Sequence, residues 1–127
     1  MRVLITGVAG FIGFHLAKKL LKKGFKITGI DNMNNYYDQK LKKLRISNLR
    51  STYFEFKKLD INDLSSLRGK FDLVINLAAQ PGVRVSEEYK KNYEHSNIRG
   101  FKRLIDYCLQ NNIKKIIYAS SSSVYDD

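Results

Sequence analysis

The sequence predicts an α/β protein built on a doubly wound parallel sheet of about five strands in the order 3-2-1-4-5. Three observations predict this fold. Short apolar runs alternate with amphipathic helical patterns along the chain. The first apolar run, residues 3–6, leads directly into closely spaced glycines, Gly7, Gly10 and Gly13. The second run ends on an acidic residue, Asp31. We therefore expect one domain over residues 1–127.

The first helix and the second strand follow the glycines. Apolar residues recur at helical spacing, while lysines take the other side; the apolar positions are Ile12, Leu16, Ala17, Leu20 and Leu21. Gly24 is a C-terminal stop signal for this helix. Residues 26–30 form the second predicted strand, residues 32–38 a polar loop, and residues 39–48 the second helix.

Three further apolar runs predict the remaining strands, at residues 53–59, 71–76 and 115–120. Between the first two of these, Asp63 is the expected N-cap of a short helix that runs through Leu64 and Leu67. A long helical region ending near Asn111 connects the fourth strand to the fifth. The alternation of strands with helices is what predicts a parallel sheet.

The chain is basic, with 23 Lys and Arg against 12 Asp and Glu and a net charge of +11. Such a balance raises the question of nucleic acid or an anionic membrane as a partner. However, the basic residues at 18–23 and 40–45 lie on polar sides of predicted helices, without interleaved aromatic residues. We therefore predict a solvated surface and neither nucleic acid nor membrane as a partner. The positive field would still attract ligands that carry a diphosphate.

The remaining candidate reactive residues have simple interpretations. Cys108 is the only cysteine and lies on the apolar face of a helical pattern, so a core thiol is expected. His15 and His95 have no partner at metal-ligand spacing, and no metal is predicted. The apolar stretch at residues 3–17 is too short to span a membrane as a helix and lacks a cleavage pattern. The expected location is cytoplasmic.

The glycines and Asp31 predict a dinucleotide cofactor. A buried strand delivers the chain to a tight turn, where a pyrophosphate can approach bare backbone N–H groups at a helix N-terminus. An acid about 20 residues further on binds the ribose hydroxyls in such sites. Since a carboxylate repels a 2′-phosphate and no arginine closely follows Asp31, NAD is favoured over NADP.

Several motifs together resemble the extended short-chain dehydrogenase/reductase family. They are G-x-x-G-x-x-G at 7–13, Asn-Leu-Ala-Ala at 76–79, Ser-Asn-Ile-Arg-Gly at 96–100 and Tyr-Ala-Ser-Ser-Ser-Ser-Val-Tyr at 118–125. Within that family the chain is similar to NAD-dependent sugar-nucleotide epimerases and dehydratases, and above all to the UDP-glucuronate 4-epimerase group. Residues 31–38, Leu41-Lys42 and residues 78–86 carry this closer similarity.

The resemblance implies a Rossmann fold and a set of cofactor residues. It puts Gly7, Gly10, Phe11, Ile12 and Gly13 under the pyrophosphate, Asp31 and Asn32 at the ribose, Asp60 and Ile61 beside the adenine, and Leu77, Ala78, Ala79 and Gln80 on the nicotinamide side. Asn97 is the asparagine that the family carries in its long helix. Without the family, Asp60 would equally be a turn former and Asn97 an exposed polar residue.

The serine tract follows the fifth predicted strand, at the edge where a doubly wound sheet places its active-site groups. Alignment on the Val-Tyr pair at 124–125 makes Ser121 the match for the family's catalytic Ser/Thr, with Ser122 and Ser123 near enough to contact the sugar. Considered without the family, four serines are more typical of a surface loop. Arg84 is either a substrate contact or a solvated side chain.

The family's reaction is an isomerisation that oxidises C4 of a UDP-sugar transiently to a 4-keto group, with a Tyr-x-x-x-Lys pair on one helix as the base. The 127 residues contain this spacing only at Tyr36/Lys40, in a loop, and at Tyr53/Lys57, in a predicted strand. We therefore expect the N-terminal portion of a larger, homodimeric enzyme of polysaccharide synthesis that cannot turn over by itself.

The resemblance leaves the substrate and the role partly open. UDP-glucuronate is the favoured substrate. The alternatives within the enzyme class are a UDP-galactose or UDP-N-acetylhexosamine 4-epimerase and a nucleotide-sugar dehydratase. From a different class, they are a non-catalytic NAD-binding or interaction module and a basic nucleic-acid binder.

Overall fold

The five strands are β1 (Arg2–Thr6), β2 (Lys26–Asp31), β3 (Phe54–Lys58), β4 (Leu73–Asn76) and β5 (Ile116–Tyr118). In the computed structural model they form one parallel sheet in the order β3-β2-β1-β4-β5, which confirms the predicted fold class and strand order. The structure describes residues 1–82 and 86–125. The strand ends differ from the predicted ones by no more than two residues.

The helices are α1 (Phe11–Lys22), α2 (Gln39–Ser47), α3 (Glu87–Tyr93) and α4 (Phe101–Gln110). Between α3 and α4 the chain stays helical but forms a π-helix, Glu94–Gly100, which the sequence pattern did not predict. Gly24 follows α1 with a φ of +80°, as expected of a helix stop. No helix in the described part of the chain is both long and apolar enough to cross a membrane.

The central strand β1 brings the functional edge of the sheet together. It pairs with β2 on one side and with β4 on the other, so that Thr6 lies opposite Ile30 and Asn76. The carboxyl ends of these three strands therefore meet at one edge. The strand order reverses there, between β1 and β4, which is where doubly wound sheets bind their ligands.

Each face of the sheet carries an apolar cluster, because successive strand residues point to opposite faces. One cluster includes Leu4, Val74, Leu104, Tyr107 and Cys108, and the other includes Val3, Ile5, Ala17, Ile27, Leu49 and Ile75. Cys108 is only 1% exposed, and burial raises its thiol pKa to about 11. The predicted core thiol is thus confirmed, and it is not a nucleophile at neutral pH.

The prediction for the segment after β3 is wrong in its detail. Leu64–Ser66 is a single 3₁₀ turn, and Asp63 precedes it without any side-chain capping bond. The Asp63 N–H donates to the Asp60 carbonyl at 2.9 Å, which closes the turn that precedes the 3₁₀ turn. Three residues offer too short a helix to need the carboxylate cap that the sequence suggested.

Candidate functional site

A cavity of about 290 Å³ opens at the carboxyl edge of the sheet. Most of the predicted cofactor residues line it: Gly7, Gly10, Phe11, Ile12, Gly13, Asp31, Asn32, Ile61, Leu77, Ala78 and Ala79. Asp60, Gln80 and Asn97 are not among its lining residues. The fold thus gathers residues from four separate chain segments around one cavity.

The glycine turn forms one wall of the cavity, and steric contacts explain its composition. Gly7 has a φ of +69°, and a Cβ there would lie 2.7 Å from the Leu77 carbonyl oxygen. A Cβ on Gly13 would overlap the Gly7 carbonyl, and one on Gly10 would lie 3.2 Å from it. The glycines therefore let α1, the turn and the chain after β4 approach one another.

The N-terminus of α1 fits an anionic group. Gly10 is its N-cap and supplies no side-chain cap, and the first turn holds no acidic residue. The first N–H groups of a helix lack partners within the helix, and the helix dipole favours negative charge there. A pyrophosphate is the group that such a bare backbone cradle accommodates, and the residues present fit it.

Thr6 holds the two sides of the cavity floor together, a role that the sequence analysis missed. Its side chain is fully buried, and its hydroxyl donates to Asn76 Oδ1 at 2.5 Å. The same oxygen accepts the backbone N–H groups of Leu77 and Ala78 at 3.2 and 3.1 Å. Thr6 thereby fixes the path of the chain leaving β4 against the glycine turn.

Asp31 is 8% exposed, and the backbone fixes its carboxylate. Oδ2 accepts the Ala9 N–H at 3.1 Å, and Oδ1 accepts the Met33 N–H at 2.8 Å. Each carboxylate oxygen has a further lone pair. The carboxylate therefore lies beside the glycine turn with acceptor capacity left for a ligand in the cavity.

Lys42 contradicts the expectation of a solvated basic face on α2. Its side chain is 8% exposed and lines the cavity, with Nζ 3.7 Å from Asp31 Oδ1. Nζ also donates to Asn34 Oδ1 at 3.0 Å. A buried lysine requires a counter-charge, and Asp31 supplies it because the long Lys42 side chain reaches from α2 to the end of β2. From the same helix, Arg45 donates to the Ala9 carbonyl at 3.1 Å.

Asp60 joins a polar network that reaches the cavity through Asn32. Its Oδ2 accepts from Asn32 Nδ2 at 3.0 Å, while its Oδ1 accepts the Asn62 N–H at 2.9 Å and lies 3.0 Å from His95 Nε2. Burial alone would raise the Asp60 pKa. The hydrogen bonds from Asn62, Asn32 and His95 outweigh burial and lower the pKa to about 2. Asp60 is therefore ionised at neutral pH, and Asn32 connects it to the cavity wall.

Asn97 and Gln80 are brought together next to the cavity. Asn97 Oδ1 accepts the Gln80 N–H at 2.8 Å, and Asn97 Nδ2 donates to the Gln80 carbonyl at 3.1 Å. Through Asn97, the π-helix thus fixes the backbone of the chain that follows β4. Arg84, the other candidate in this region, lies outside the described residues.

The residue that precedes the serine tract lines the cavity, whereas the serines do not. Ala119 lines the cavity and donates its N–H to the Asn76 carbonyl at 3.2 Å. Ser121, Ser122 and Ser123 are exposed, and the hydroxyl oxygens of Ser121 and Ser123 lie 2.8 Å apart. In residues 1–82 and 86–125 no three His, Cys, Asp or Glu side chains group as metal ligands would.

Comparison with known proteins agrees with this geometry. Residues 3–127 match the profile of the NAD dependent epimerase/dehydratase family. Protein CapI of Staphylococcus aureus is 45% identical over 130 residues, covering 98% of this chain and 39% of CapI. UDP-glucuronate 4-epimerase 2 of Arabidopsis thaliana is 44% identical over 129 residues, covering 97% of this chain and 30% of the plant protein.

A solved structure matches over the whole chain. It is a UDP-glucuronic acid 4-epimerase mutant from Bacillus cereus in complex with UDP-4-deoxy-4-fluoro-glucuronic acid and NAD, 38% identical, with a TM-score of 0.89. The match covers 100% of this chain and 42% of the Bacillus protein. The present chain thus spans less than half the length of these relatives. Its cavity lining, its strand order and the profile match lead to one conclusion: the chain belongs to the NAD dependent epimerase/dehydratase family.

Proposed function

We propose that these residues form the NAD-binding part of a nucleotide-sugar 4-epimerase that acts on UDP-glucuronate. The observation that carries the proposal is the cavity enclosed by the glycine turn, Asp31 and residues 77–79 in a chain of this family. The UDP-glucuronate substrate rests on the similarity to the plant and Bacillus epimerases.

The cofactor would lie with its pyrophosphate on the N-terminus of α1 and its adenosine ribose at Asp31. The backbone N–H groups of the glycine turn donate to phosphate oxygens, and the Asp31 carboxylate accepts from ribose hydroxyls. Bound there, NAD⁺ would supply the hydride acceptor, and as NADH the hydride donor, for the transient oxidation at C4 of the sugar. The chain after β4, residues 77–79, forms the wall on the nicotinamide side.

Ser121 is the residue proposed to contact the sugar at C4. Its tract follows β5 at the carboxyl edge of the sheet, where Ala119 already lines the cavity. A serine hydroxyl there can donate a hydrogen bond to the sugar oxygen as that oxygen becomes a carbonyl, a form of electrostatic stabilisation. Ser122 and Ser123 would contact the sugar from the neighbouring turn.

Incubated with NAD⁺ and UDP-glucuronate, the 127-residue chain is expected to form no UDP-galacturonate. Neither of its Tyr-x-x-x-Lys pairs lies on a helix beside Ser121: Tyr36 is in the loop before α2, and Lys57 is on β3. Without a base, the hydroxyl proton at C4 stays in place. UDP-glucuronate and UDP-galacturonate are distinguished by ¹H NMR. Formation of UDP-galacturonate in proportion to the protein added would contradict this expectation.

Replacing Lys42 by methionine is expected to weaken NAD⁺ binding about tenfold. Lys42 contacts both Asp31 and Asn34 in the cavity wall, and an ion pair shielded from water is worth more than a surface pair. Lys43→Met is the matched control, because Lys43 is exposed on the same helix. Calorimetric titration gives both affinities, and equal affinities in the two variants would show that Lys42 does not contribute to NAD⁺ binding.

Titrating the chain with NAD⁺, NADP⁺ and a generic DNA duplex tests the function class. We expect NAD⁺ to bind more tightly than NADP⁺, because Asp31 repels a 2′-phosphate. We expect DNA to bind only weakly, with an affinity that falls steeply with salt. If neither dinucleotide binds while DNA does, the basic surface rather than the cavity is the functional site and the epimerase proposal fails.

A further inference from the structure

The π-helix packs directly on the loop that follows β3. A Cβ on Gly100 would overlap Ile61 Cγ2 and lie 3.1 Å from the His95 carbonyl oxygen, so only glycine permits this approach. Asn62 Nδ2 donates to the same carbonyl at 3.1 Å. The contact places the His95 ring on Asp60, although the two residues are far apart in sequence. Such π-helical turns occur frequently at functional sites.

The Asp60 carboxylate is asymmetrically bonded. Oδ1 lies within hydrogen-bond distance of three donors: the Asn62 N–H at 2.9 Å, Asn62 Nδ2 at 3.1 Å and His95 Nε2 at 3.0 Å. Oδ2 accepts from Asn32 Nδ2 alone among the described residues, at 3.0 Å. Since an ionised carboxylate only accepts hydrogen bonds, we assign the proton of the His95 ring to Nε2 in this contact. The remaining acceptor capacity is therefore on Oδ2, on the side of the cavity-lining Asn32.

We propose that His95 is a positioning residue for the adenine end of the cofactor. By donating its Nε2–H to Oδ1, it holds the Asp60 carboxylate so that Oδ2 stays available to a base with an exocyclic amino group. The inference rests on the proposed function, because it takes NAD as the occupant of the cavity. It adds to that function a residue from the long helix that touches the carboxylate rather than the cofactor.

A role limited to packing does not account for His95. Its side chain is 40% exposed, whereas the Asp60 side chain is 21% exposed. Its contact with Asp60 is polar, since it joins Nε2 to Oδ1 at 3.0 Å, and the neighbouring residues Ile61 and Ser96 line the cavity. Removing the imidazole should change the orientation of Asp60 more than it changes the stability of the fold.

The test compares histidine variants against ligands that carry different halves of NAD. His95→Gln keeps an N–H donor near the position of Nε2, His95→Asn keeps an amide too short to reach Asp60, and His95→Ala removes the group. Asn92→Ala is the control, since Asn92 is exposed on α3. Binding of NAD⁺, ADP-ribose and nicotinamide mononucleotide is measured by calorimetry, and thermal unfolding is followed in parallel.

We expect H95A and H95N to bind NAD⁺ and ADP-ribose about tenfold more weakly than the wild type, which is the effect of losing one hydrogen bond to a charged group. H95Q and the Asn92 control should stay near the wild-type affinity, and nicotinamide mononucleotide should bind equally to all. Three outcomes would each overturn the proposal. They are an equal loss of affinity for nicotinamide mononucleotide, a loss of affinity in H95Q as large as that in H95A, and unchanged NAD⁺ binding in H95A and H95N. Those outcomes would refute only the role of His95, because the wild-type chain would still bind NAD⁺. If the wild type itself binds no NAD⁺, the proposed function fails as well.

Discussion

Gly7→Ala is expected to abolish NAD⁺ binding and to lower the free energy of unfolding by about 3 kcal/mol or more. Gly7 has a φ of +69°, a conformation that costs an alanine about 1–2 kcal/mol. The new Cβ would also lie 2.7 Å from the Leu77 carbonyl oxygen and 2.8 Å from the Ala78 nitrogen. Both atoms belong to the backbone after β4, where the Leu77 and Ala78 N–H groups donate to Thr6 Oγ1, so this segment cannot move aside at low cost.

Gly24→Ala is the matched control for this substitution. Gly24 also has a positive φ, +80°, but a Cβ there meets nothing within 4 Å. Gly24→Ala should therefore lower the free energy of unfolding only by the cost of the positive φ, about 1 kcal/mol, and leave NAD⁺ binding unchanged. Urea unfolding and NAD⁺ titration of the two variants separate the two effects. A Gly7 variant as stable and as competent in binding as the Gly24 variant would show that the close approach at the turn is not required.

Asp31→Asn is expected to lower the free energy of unfolding by about 3–5 kcal/mol, the usual cost of breaking a buried ion pair. The change leaves the Lys42 ammonium, whose side chain is 8% exposed, without its counter-charge. It also leaves one oxygen in place of two to accept the N–H groups of Ala9 and Met33. We further expect weaker NAD⁺ binding and a smaller preference for NAD⁺ over NADP⁺, because the repulsion of a 2′-phosphate is gone.

Glu87→Gln provides the control for charge removal. Glu87 pairs with Lys90 on α3, but both side chains are exposed, at 85% and 60%. An exposed pair of this kind contributes less than about 1 kcal/mol, so unfolding should barely change. The double variant D31N/K42M should recover part of the loss, since it removes both buried charges. If D31N and E87Q unfold at the same denaturant concentration, the Asp31 and Lys42 pair does not stabilise the site.

The sequence was sufficient where local pattern carries the information. Strands are recognised by their apolar runs, and the positive φ at Gly7 explains why the turn needs glycine. The burial of Lys42 was not predictable, because helix periodicity does not tell which residue of α2 reaches Asp31 at the end of β2. The contact between Asp60 and His95 could not be predicted from the sequence either. It depends on a π-helix, whose residues look like those of an α-helix, and on the tertiary approach that Gly100 permits.

We propose that the cavity at the carboxyl edge of the sheet binds NAD through the glycine turn and Asp31. Amide chemical shifts of the ¹⁵N-labelled chain during NAD⁺ titration test it most directly. We predict saturable shifts at residues 7–13, at Asp31 and at residues 77–79. The opposite edge of the sheet, where Arg2, Lys26 and Phe71 line a second cavity of about 310 Å³, should stay unchanged. Saturable shifts confined to that edge, or none at all at the glycine turn, would contradict the account.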